Sequence, residues 1–208
     1  GFLEGEDALA TLQAFRDMGV EIEGPMEGKV TIQGVGLNGL KAPKDRLWMG
    51  NSGTTIRLMS GLLSGQSFDV RLEGDPSLSK RPMRRVSDPL SLMGARIETA
   101  DGGTPPLTIR GGQTLKGIHY DMPMASAQVK SSILLAGLFA KGETSVTAPA
   151  PNPDQTENMT PGVGYELIRE GTTALFVGSC NPTAQCVSVP ANTRSAAFLL
   201  VAGSSPPR

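Results

Sequence analysis

The sequence predicts an α/β protein built from βαβαββ units in a pseudo-threefold arrangement, with buried helices inside and four-stranded mixed sheets outside. Three observations predict this fold. The segment at residues 12–23 recurs at residues 90–98 and, weakly, at residues 163–168. A second family of apolar helical segments alternates with these copies. Short β-branched stretches follow each copy and read as hairpins, which disfavours a doubly wound parallel sheet.

The first repeated segment reads as an amphipathic helix that ends near a glycine. "LQAFRDMGVEIE" and "LSLMGARIE" share this residue as Gly19 and Gly94, and the weaker copy "VGYELI" carries Gly164. In the first helix the apolar residues form a stripe along one face, as expected of a helix packed against a core. These residues are Leu9, Leu12 and Phe15. The stretches "KVTIQG", "PLTIRGG" and "TALFVGS" come after the three copies and predict strands.

The second repeated segment predicts helices that are enclosed on all sides. "TIRLMSGLLSG" at residues 55–65 resembles "SSILLAGLFAKG" at residues 131–142, and "SAAFLLVAG" at residues 195–203 is a third member. All three are apolar nearly all round, which is typical of a helix covered by sheets. A strand-like stretch precedes each of them.

Composition excludes several classes of function. The chain of 208 residues has 19 basic and 20 acidic residues, so its net charge of −1 argues against broad binding of nucleic acid or of anionic membranes. The only cysteines and histidine are Cys180, Cys186 and His119, too few for a Cys/His metal cluster. Neither a membrane-spanning window nor a signal peptide is visible, and we therefore expect a cytoplasmic protein.

The repeats also predict how the chain is organised. Residues 1–186 are expected to form a first domain whose first unit is incomplete, and residues 187–208 a strand and helix that would begin a second domain. Both ends of the chain look cut. An alternative is that the last segment folds back beside Leu12 and Phe15 to complete the first unit, and a frayed tail is the other possibility.

One glycine pattern is expected to match a dinucleotide-binding motif only by chance. "GVGLNG" at residues 34–39 matches the dinucleotide pattern G-x-G-x-x-G. That fingerprint requires a helix directly after it to receive the pyrophosphate, whereas this one leads to a strand-like stretch that contains Pro43. A hairpin turn is the better interpretation.

The stretch "MGNSGTT" at residues 49–55 is the first candidate anion site. Gly50 and Gly53 lie between a predicted strand and a buried helix. Unpaired N–H groups at a helix start favour an anion, but a plain capping turn predicts the same sequence. Both interpretations stay open on the residues alone.

Two further segments favour the anion. In "GDPSLSKRPMRR", Pro82 suits the first turn of the second helix and would place Arg81 at its positive end, while Arg84 and Arg85 read as a solvated basic face. In "MASAQVKSS", Ser126 and Gln128 precede the second buried helix as Gly53 precedes the first. Ser126 as a simple helix cap is the alternative. Polar residues at equivalent helix starts make a shared anionic ligand the better hypothesis.

"GNSGTTIRL", "GDPSLSKRPMRRVSDPL" and "ASAQVKSSILLAGL" together resemble the enolpyruvyl transferases, and in particular the members that act on shikimate 3-phosphate. The resemblance covers essentially the whole chain. It implies addition and elimination between phosphoenolpyruvate and shikimate 3-phosphate with release of phosphate, inhibition by glyphosate, and no metal or organic cofactor. It also implies two domains of three βαβαββ units that close over the substrates, in a monomer.

The resemblance also implies the binding residues. Phosphoenolpyruvate would contact Gly53, Arg81 and Gln128. Shikimate 3-phosphate would contact Ser126, Ala127, Gln128 and Asn152, the last of which stands where the family has a serine. Asn51 and Arg194 are possible supporting residues, since Arg194 could substitute for a family lysine if the terminal segment folds back.

Several departures limit this interpretation. The family's opening Lys-Ser segment and its acidic proton acceptor do not occur in this sequence, so we expect no catalytic residue in the chain and no activity from it alone. Pro89 is expected to interrupt the second helix. The alternatives are a non-catalytic anion-binding module or a relative of the transferases that act on UDP-N-acetylglucosamine, although these lack the Gly-Asn-x-Gly-Thr loop.

Overall fold

Two four-stranded mixed sheets with the same strand order form the outside of the protein. The structure is a computed structural model that describes residues 2–150 and 167–176. One sheet has the order β3-β4-β6-β5, with β3 at Leu47–Trp48, β4 at Val70–Glu73, β5 at Arg96–Ala100 and β6 at Thr104–Arg110. The other has the order β7-β8-β10-β9, with β7 at His119–Asp121, β8 at Thr144–Thr147, β9 at Leu167–Glu170 and β10 at Thr173–Phe176. This equivalence confirms the predicted repetition.

Each sheet pairs its first two strands in parallel and its remaining strands antiparallel. A parallel pair needs a crossover connection, and the two apolar segments supply it as helices α2 (Gly53–Ser64) and α4 (Ala127–Gly137). The antiparallel pairs β5–β6 and β9–β10 join consecutive strands as hairpins, as the sequence predicts. In β6 every second residue is buried, so one face of that sheet covers the core.

The first unit is described from its amphipathic helix onward. Helix α1 (Glu6–Asp17) leads into a hairpin of β1 (Ile22–Met26) and β2 (Lys29–Ile32), as helix α3 (Arg84–Leu92) leads into β5 and β6. The repeated glycines follow these helices: Gly19 has φ +87° and Gly94 has φ +100°. This left-handed conformation ends a helix at low energetic cost only for glycine. The segment at residues 151–166 lies outside the described residues.

The buried helices α2 and α4 pack directly against each other. Ile56 and Leu63 of α2 and Ile133 and Leu134 of α4 are at most 1% exposed, which confirms that these helices are enclosed. Their close approach depends on Gly61, because a Cβ atom there would overlap the carbonyl oxygen of Ser132. No helix in the described part of the chain is long and apolar enough to cross a bilayer.

Three local predictions were wrong. Pro89 does not interrupt α3: it is buried inside the helix, and its ring removes only one hydrogen bond while Val86 and Leu90 pack into the core. Pro82 does not occupy the first turn, since α3 begins at Arg84 with Met83 as its cap. Residues 34–39 are not a hairpin turn, because they connect β2 to β3 and these strands belong to different sheets.

An apolar cavity of about 420 Å³ lies beside the first unit. Leu12 and Phe15 of α1, Ile32 of β2, Leu62 of α2 and Phe139 after α4 contribute to its wall. It therefore lies where elements of all three units meet. The predicted return of residues 187–208 to this region lies outside the described residues, as does the predicted domain boundary.

Candidate anion-binding cleft

The turn at residues 49–53 prepares the start of α2 for an anion. Gly50 adopts φ +55°, which turns the chain out of β3. The Ser52 hydroxyl caps the helix by accepting the Thr55 N–H at 3.0 Å. The preceding N–H groups, those of Gly53 and Thr54, lie at the helix start, where the helix dipole favours negative charge. Capping and anion binding are therefore compatible here.

A chain of hydrogen bonds places Arg81 at this helix start. Asp75 accepts the Leu78 N–H at 2.7 Å and the Asn51 amide at 2.7 Å. Asn51 in turn accepts a hydrogen bond from Arg81 Nη2 at 2.5 Å. The Leu78 N–H and then the Asn51 amide hold the pKa of the Asp75 carboxyl below its ordinary value. Pro82 explains why the Arg81 backbone is extended, at φ −80° and ψ 134°.

A second guanidinium reaches the same place from within α2. Arg57 Nη1 donates to Gln128 Oε1 at 2.7 Å, and Gln128 Nε2 donates to Thr54 Oγ1 at 2.8 Å. Burial, and then the positive charges of Arg85 and Arg81, lower the pKa of Arg57. Gly53 makes room for both cations: a Cβ atom there would lie 2.6 Å from Arg81 Nη1 and 3.1 Å from Arg57 Nη1.

These groups line one wall of a cleft of about 680 Å³. The wall consists of Asn51, Gly53, Thr54, Arg57, Arg81 and Gln128. The start of α1 lies opposite with Glu6 and Asp7, held near α2 because Thr55 Oγ1 donates to the Asp7 carbonyl at 3.2 Å. Among residues 2–150 and 167–176, no salt bridge joins Arg57 or Arg81 to a carboxylate. Two guanidiniums without such a partner beside a helix start suit a phosphate or carboxylate ligand.

The cleft brings together four of the predicted site residues: Asn51, Gly53, Arg81 and Gln128. Gln128 lies inside α4 as its second residue rather than before the helix. Ser126 caps α4 by accepting the Val129 N–H at 3.4 Å, so its structural equivalent is Ser52 and not Gly53.

The remaining predicted site residues either do not line the cleft or lie outside the described residues. Ala127 is the first residue of α4. Ser126 and Ala127 adjoin Gln128 in the chain but do not line the cleft. Asn152 and Arg194 lie outside the described residues. Within the described ranges, no group of three His, Cys, Asp or Glu side chains could hold a metal ion.

Sequence reasoning missed Arg57, Thr54 and Asp75. The sequence did contain an indication of Arg57, because it is the only charged residue in the apolar stretch at residues 55–65. It also contained an indication of Asp75, since Asp before Pro-Ser commonly accepts a backbone N–H in a turn. Thr54 carried no signal of its own, because its role depends on how α2 and α4 pack.

The repeated mixed sheets, the enclosed helices and the cleft at helix starts define a domain of the enolpyruvyl transferase class. Comparison with known proteins specifies the family. The profile of EPSP synthase (3-phosphoshikimate 1-carboxyvinyltransferase) matches residues 1–207, and the chain belongs to this family.

Individual relatives agree with this assignment. The chain is 60% identical to the 3-phosphoshikimate 1-carboxyvinyltransferase of Alkalilimnicola ehrlichii over 98% of its length, and 61% identical to that of Nitrosococcus oceani over 97%. A solved structure of EPSP synthase from Acinetobacter baumannii superposes with a TM-score of 0.91 at 62% identity, covering 96% of this chain. The chain spans about half the length of these proteins: 46%, 45% and 46% respectively.

Proposed function

We propose that this chain contributes one wall of the active site of a 3-phosphoshikimate 1-carboxyvinyltransferase. The reaction transfers the enolpyruvyl group of phosphoenolpyruvate to shikimate 3-phosphate and releases phosphate. The observation that carries the proposal is the convergence of Arg57 and Arg81 on the start of α2. Both substrates carry a phosphate and a carboxylate, and guanidinium forks and helix N–H groups match these anions in charge and shape. Family membership supports the particular reaction.

The geometry supports a division of the substrates between two helix starts. Gly53 and Arg81 at α2 would hold phosphoenolpyruvate, with Asn51 keeping Arg81 in place. Ser126 and Ala127 at α4 would hold shikimate 3-phosphate, together with the predicted contribution of Asn152. Gln128 hydrogen-bonds across to α2 and would contact both ligands. The supporting role of Arg194 also belongs to this proposal.

The polar wall is suited to binding rather than to proton transfer. Its arginine, glutamine, asparagine and threonine side chains neither gain nor lose a proton near neutral pH. We therefore infer that the chain alone binds the substrates but does not turn them over. An assay of phosphate release with both substrates tests this, and turnover by the chain would show that its own residues complete the reaction.

Substitution of Arg81 tests the proposed ligand. In Arg81→Ala, titration calorimetry should show phosphoenolpyruvate affinity reduced about tenfold or more, because a charge-assisted hydrogen bond is lost. The melting temperature should change little, since Arg81 is partly exposed at the cleft. Arg96→Ala, at an exposed position in β5, is the control and should bind as the parent does. Equal loss in both variants would refute a specific site.

A non-catalytic anion-binding module is the second candidate, favoured by the lack of a proton-transfer group in the polar wall. It predicts comparable affinity for inorganic phosphate, phosphoenolpyruvate and shikimate 3-phosphate. The transferase predicts a preference for its two substrates and competition by glyphosate. A cytoplasmic monomer also remains part of the proposal, and sedimentation of the purified chain would test the monomeric state.

A further inference from the structure

Gln128 lines the cleft with a carboxamide whose two ends differ: its oxygen accepts hydrogen bonds and its nitrogen donates them. Thr54 cannot fix which end faces which way, because a hydroxyl both donates and accepts. Arg57 can, because a guanidinium only donates. Its Nη1 lies 2.7 Å from Gln128 Oε1, which leaves Nε2 facing Thr54 Oγ1 at 2.8 Å.

We propose that Arg57 is a positioning residue that fixes the Gln128 carboxamide with its N–H₂ end toward Thr54 at the start of α2. This inference rests on the proposed function, since it assigns the orientation of a residue that would contact both substrates. One N–H of Gln128 is used by Thr54, and the second is then free to donate to an anion. With the amide reversed, its N–H₂ end would face the Arg57 guanidinium, donor against donor, and its carbonyl oxygen would replace the donor at the start of α2.

The helix geometry makes this role specific to Arg57. Arg57 is the fifth residue of α2, and side chains on a helix lean toward its N-terminus, which brings the guanidinium back to the first turn. Gln128 lies in the first turn of α4. The Arg57–Gln128–Thr54 chain of hydrogen bonds therefore connects the two helix starts that would hold the two substrates.

Arg85 provides a comparison that separates orientation from charge. Its positive charge acts on Arg57, so it contributes to the potential near the cleft. Its guanidinium, however, contacts Met124 Sδ at 3.2 Å and not Gln128. A variant of Arg85 thus removes a nearby cation and leaves the Gln128 carboxamide held.

The test uses Arg57→Met, Arg57→Lys and Arg85→Gln in the full chain. The side-chain N–H₂ signals of Gln128, assigned by their loss in Gln128→Ala, are compared by NMR. Arg57→Met should shift them and increase their mobility, Arg57→Lys should largely restore them, and Arg85→Gln should leave them unchanged. Unchanged Gln128 signals in a folded Arg57→Met would overturn the inference. The NMR comparison of the Gln128 signals needs no ligand, so its outcome does not depend on whether the proposed function is correct.

Binding gives the second readout. Phosphoenolpyruvate affinity, measured with shikimate 3-phosphate present, should fall about tenfold or more in Arg57→Met, and raised salt should not remove the difference. If Arg57 acts through Gln128, the double variant Arg57→Met/Gln128→Ala should bind no worse than the weaker single variant. If the affinity losses of the two single variants instead multiply in the double variant, Arg57 acts by its charge alone. Failure of the parent chain to bind either substrate would instead refute the proposed function.

Discussion

Gly53 shapes the cleft because it has no side chain. It is buried at the first position of α2, and two guanidinium groups occupy the space that a side chain would take. Its backbone is not in the left-handed region, so the requirement for glycine comes from the neighbouring cations and not from backbone conformation. A substitution here should therefore affect ligand binding more than folding.

Gly53→Ala should lower phosphoenolpyruvate affinity by roughly tenfold, because the methyl group displaces the ends of Arg81 and Arg57. Stability should hold or rise slightly, since alanine favours a helix by up to about 1 kcal/mol over glycine. Calorimetric titration and thermal melting measure the two effects. Gly34→Ala, where an added Cβ meets nothing within 4 Å, is the matched control. Unchanged affinity in Gly53→Ala would contradict the described cleft.

Asp75 supports Arg81 through Asn51, and its titration reports on that support. Because its folded pKa is lowered below the ordinary 3.8, the stabilisation is present at neutral pH and is lost as pH falls through the folded value. A ¹³C titration of the carboxyl group should give a midpoint below 3.8.

The variant Asp75→Asn extends this prediction. Its amide would present N–H groups to Asn51, which would have to reverse and lose its bond to Arg81. The variant should be less stable at pH 7, and the difference should disappear in strong acid. Asp101→Asn, exposed in the β5–β6 turn, is the control and should be as stable as the parent chain at pH 7. A midpoint for Asp75 at or above 3.8 would contradict the hydrogen bonds described.

At the level of elements, the packing of α2 on α4 sets the geometry of the cleft. Hydrophobic periodicity predicted both helices and their burial, because that pattern is local. The cross-helix contacts of Arg57 and Gln128 could not be predicted, because the residues are 71 positions apart and meet only through packing. The sequence also did not place Pro82 correctly. A proline one residue before the N-cap and a proline in the first turn of a helix give similar sequences, so the position of the helix start is not fixed by the pattern.

Gly61→Ala tests this packing. The added methyl group would overlap the Ser132 carbonyl oxygen, so the helices must separate. We expect a loss of about 1–3 kcal/mol of unfolding free energy, measured by denaturant titration. The Gln128 side-chain signals should shift as well, because Arg57 and Thr54 move with α2. Gly34→Ala again serves as control, and equal stability of the two variants would contradict the close helix contact.

At the level of the whole molecule, repetition made the fold predictable. Two sheets with one strand order follow from two similar stretches of sequence, and the family assignment agrees. The net charge of −1 did not indicate the two guanidiniums at the start of α2, because a sum over the chain does not show where individual charges lie. The cleft brings Asn51, Gly53, Arg81 and Gln128 together. As ligand contacts, these four residues and Ser126, Ala127, Asn152 and Arg194 all remain predictions.

The apolar cavity beside α1 leads to a prediction for the end of the chain. The sequence leaves two possibilities for residues 195–202, which resemble α2 and α4: a frayed tail, or a return beside Leu12 and Phe15 that would cover the cavity. The prediction tested is the return. Hydrogen exchange should then show protected amides across residues 195–202, and Phe198→Asp should increase exchange in α1. Rapid exchange across residues 195–202 in the parent chain would rule this out.

The central claim is that the starts of α2 and α4 form one binding wall for two anionic substrates. Titration of the ¹⁵N-labelled chain with shikimate 3-phosphate and then phosphoenolpyruvate, followed by NMR, tests it most directly. We predict shifts at Ser126, Ala127 and Gln128 with the first ligand, and at Gly53, Thr54 and the Arg81 side chain with the second. Shifts confined to residues away from both helix starts, or none at millimolar ligand, would contradict the account.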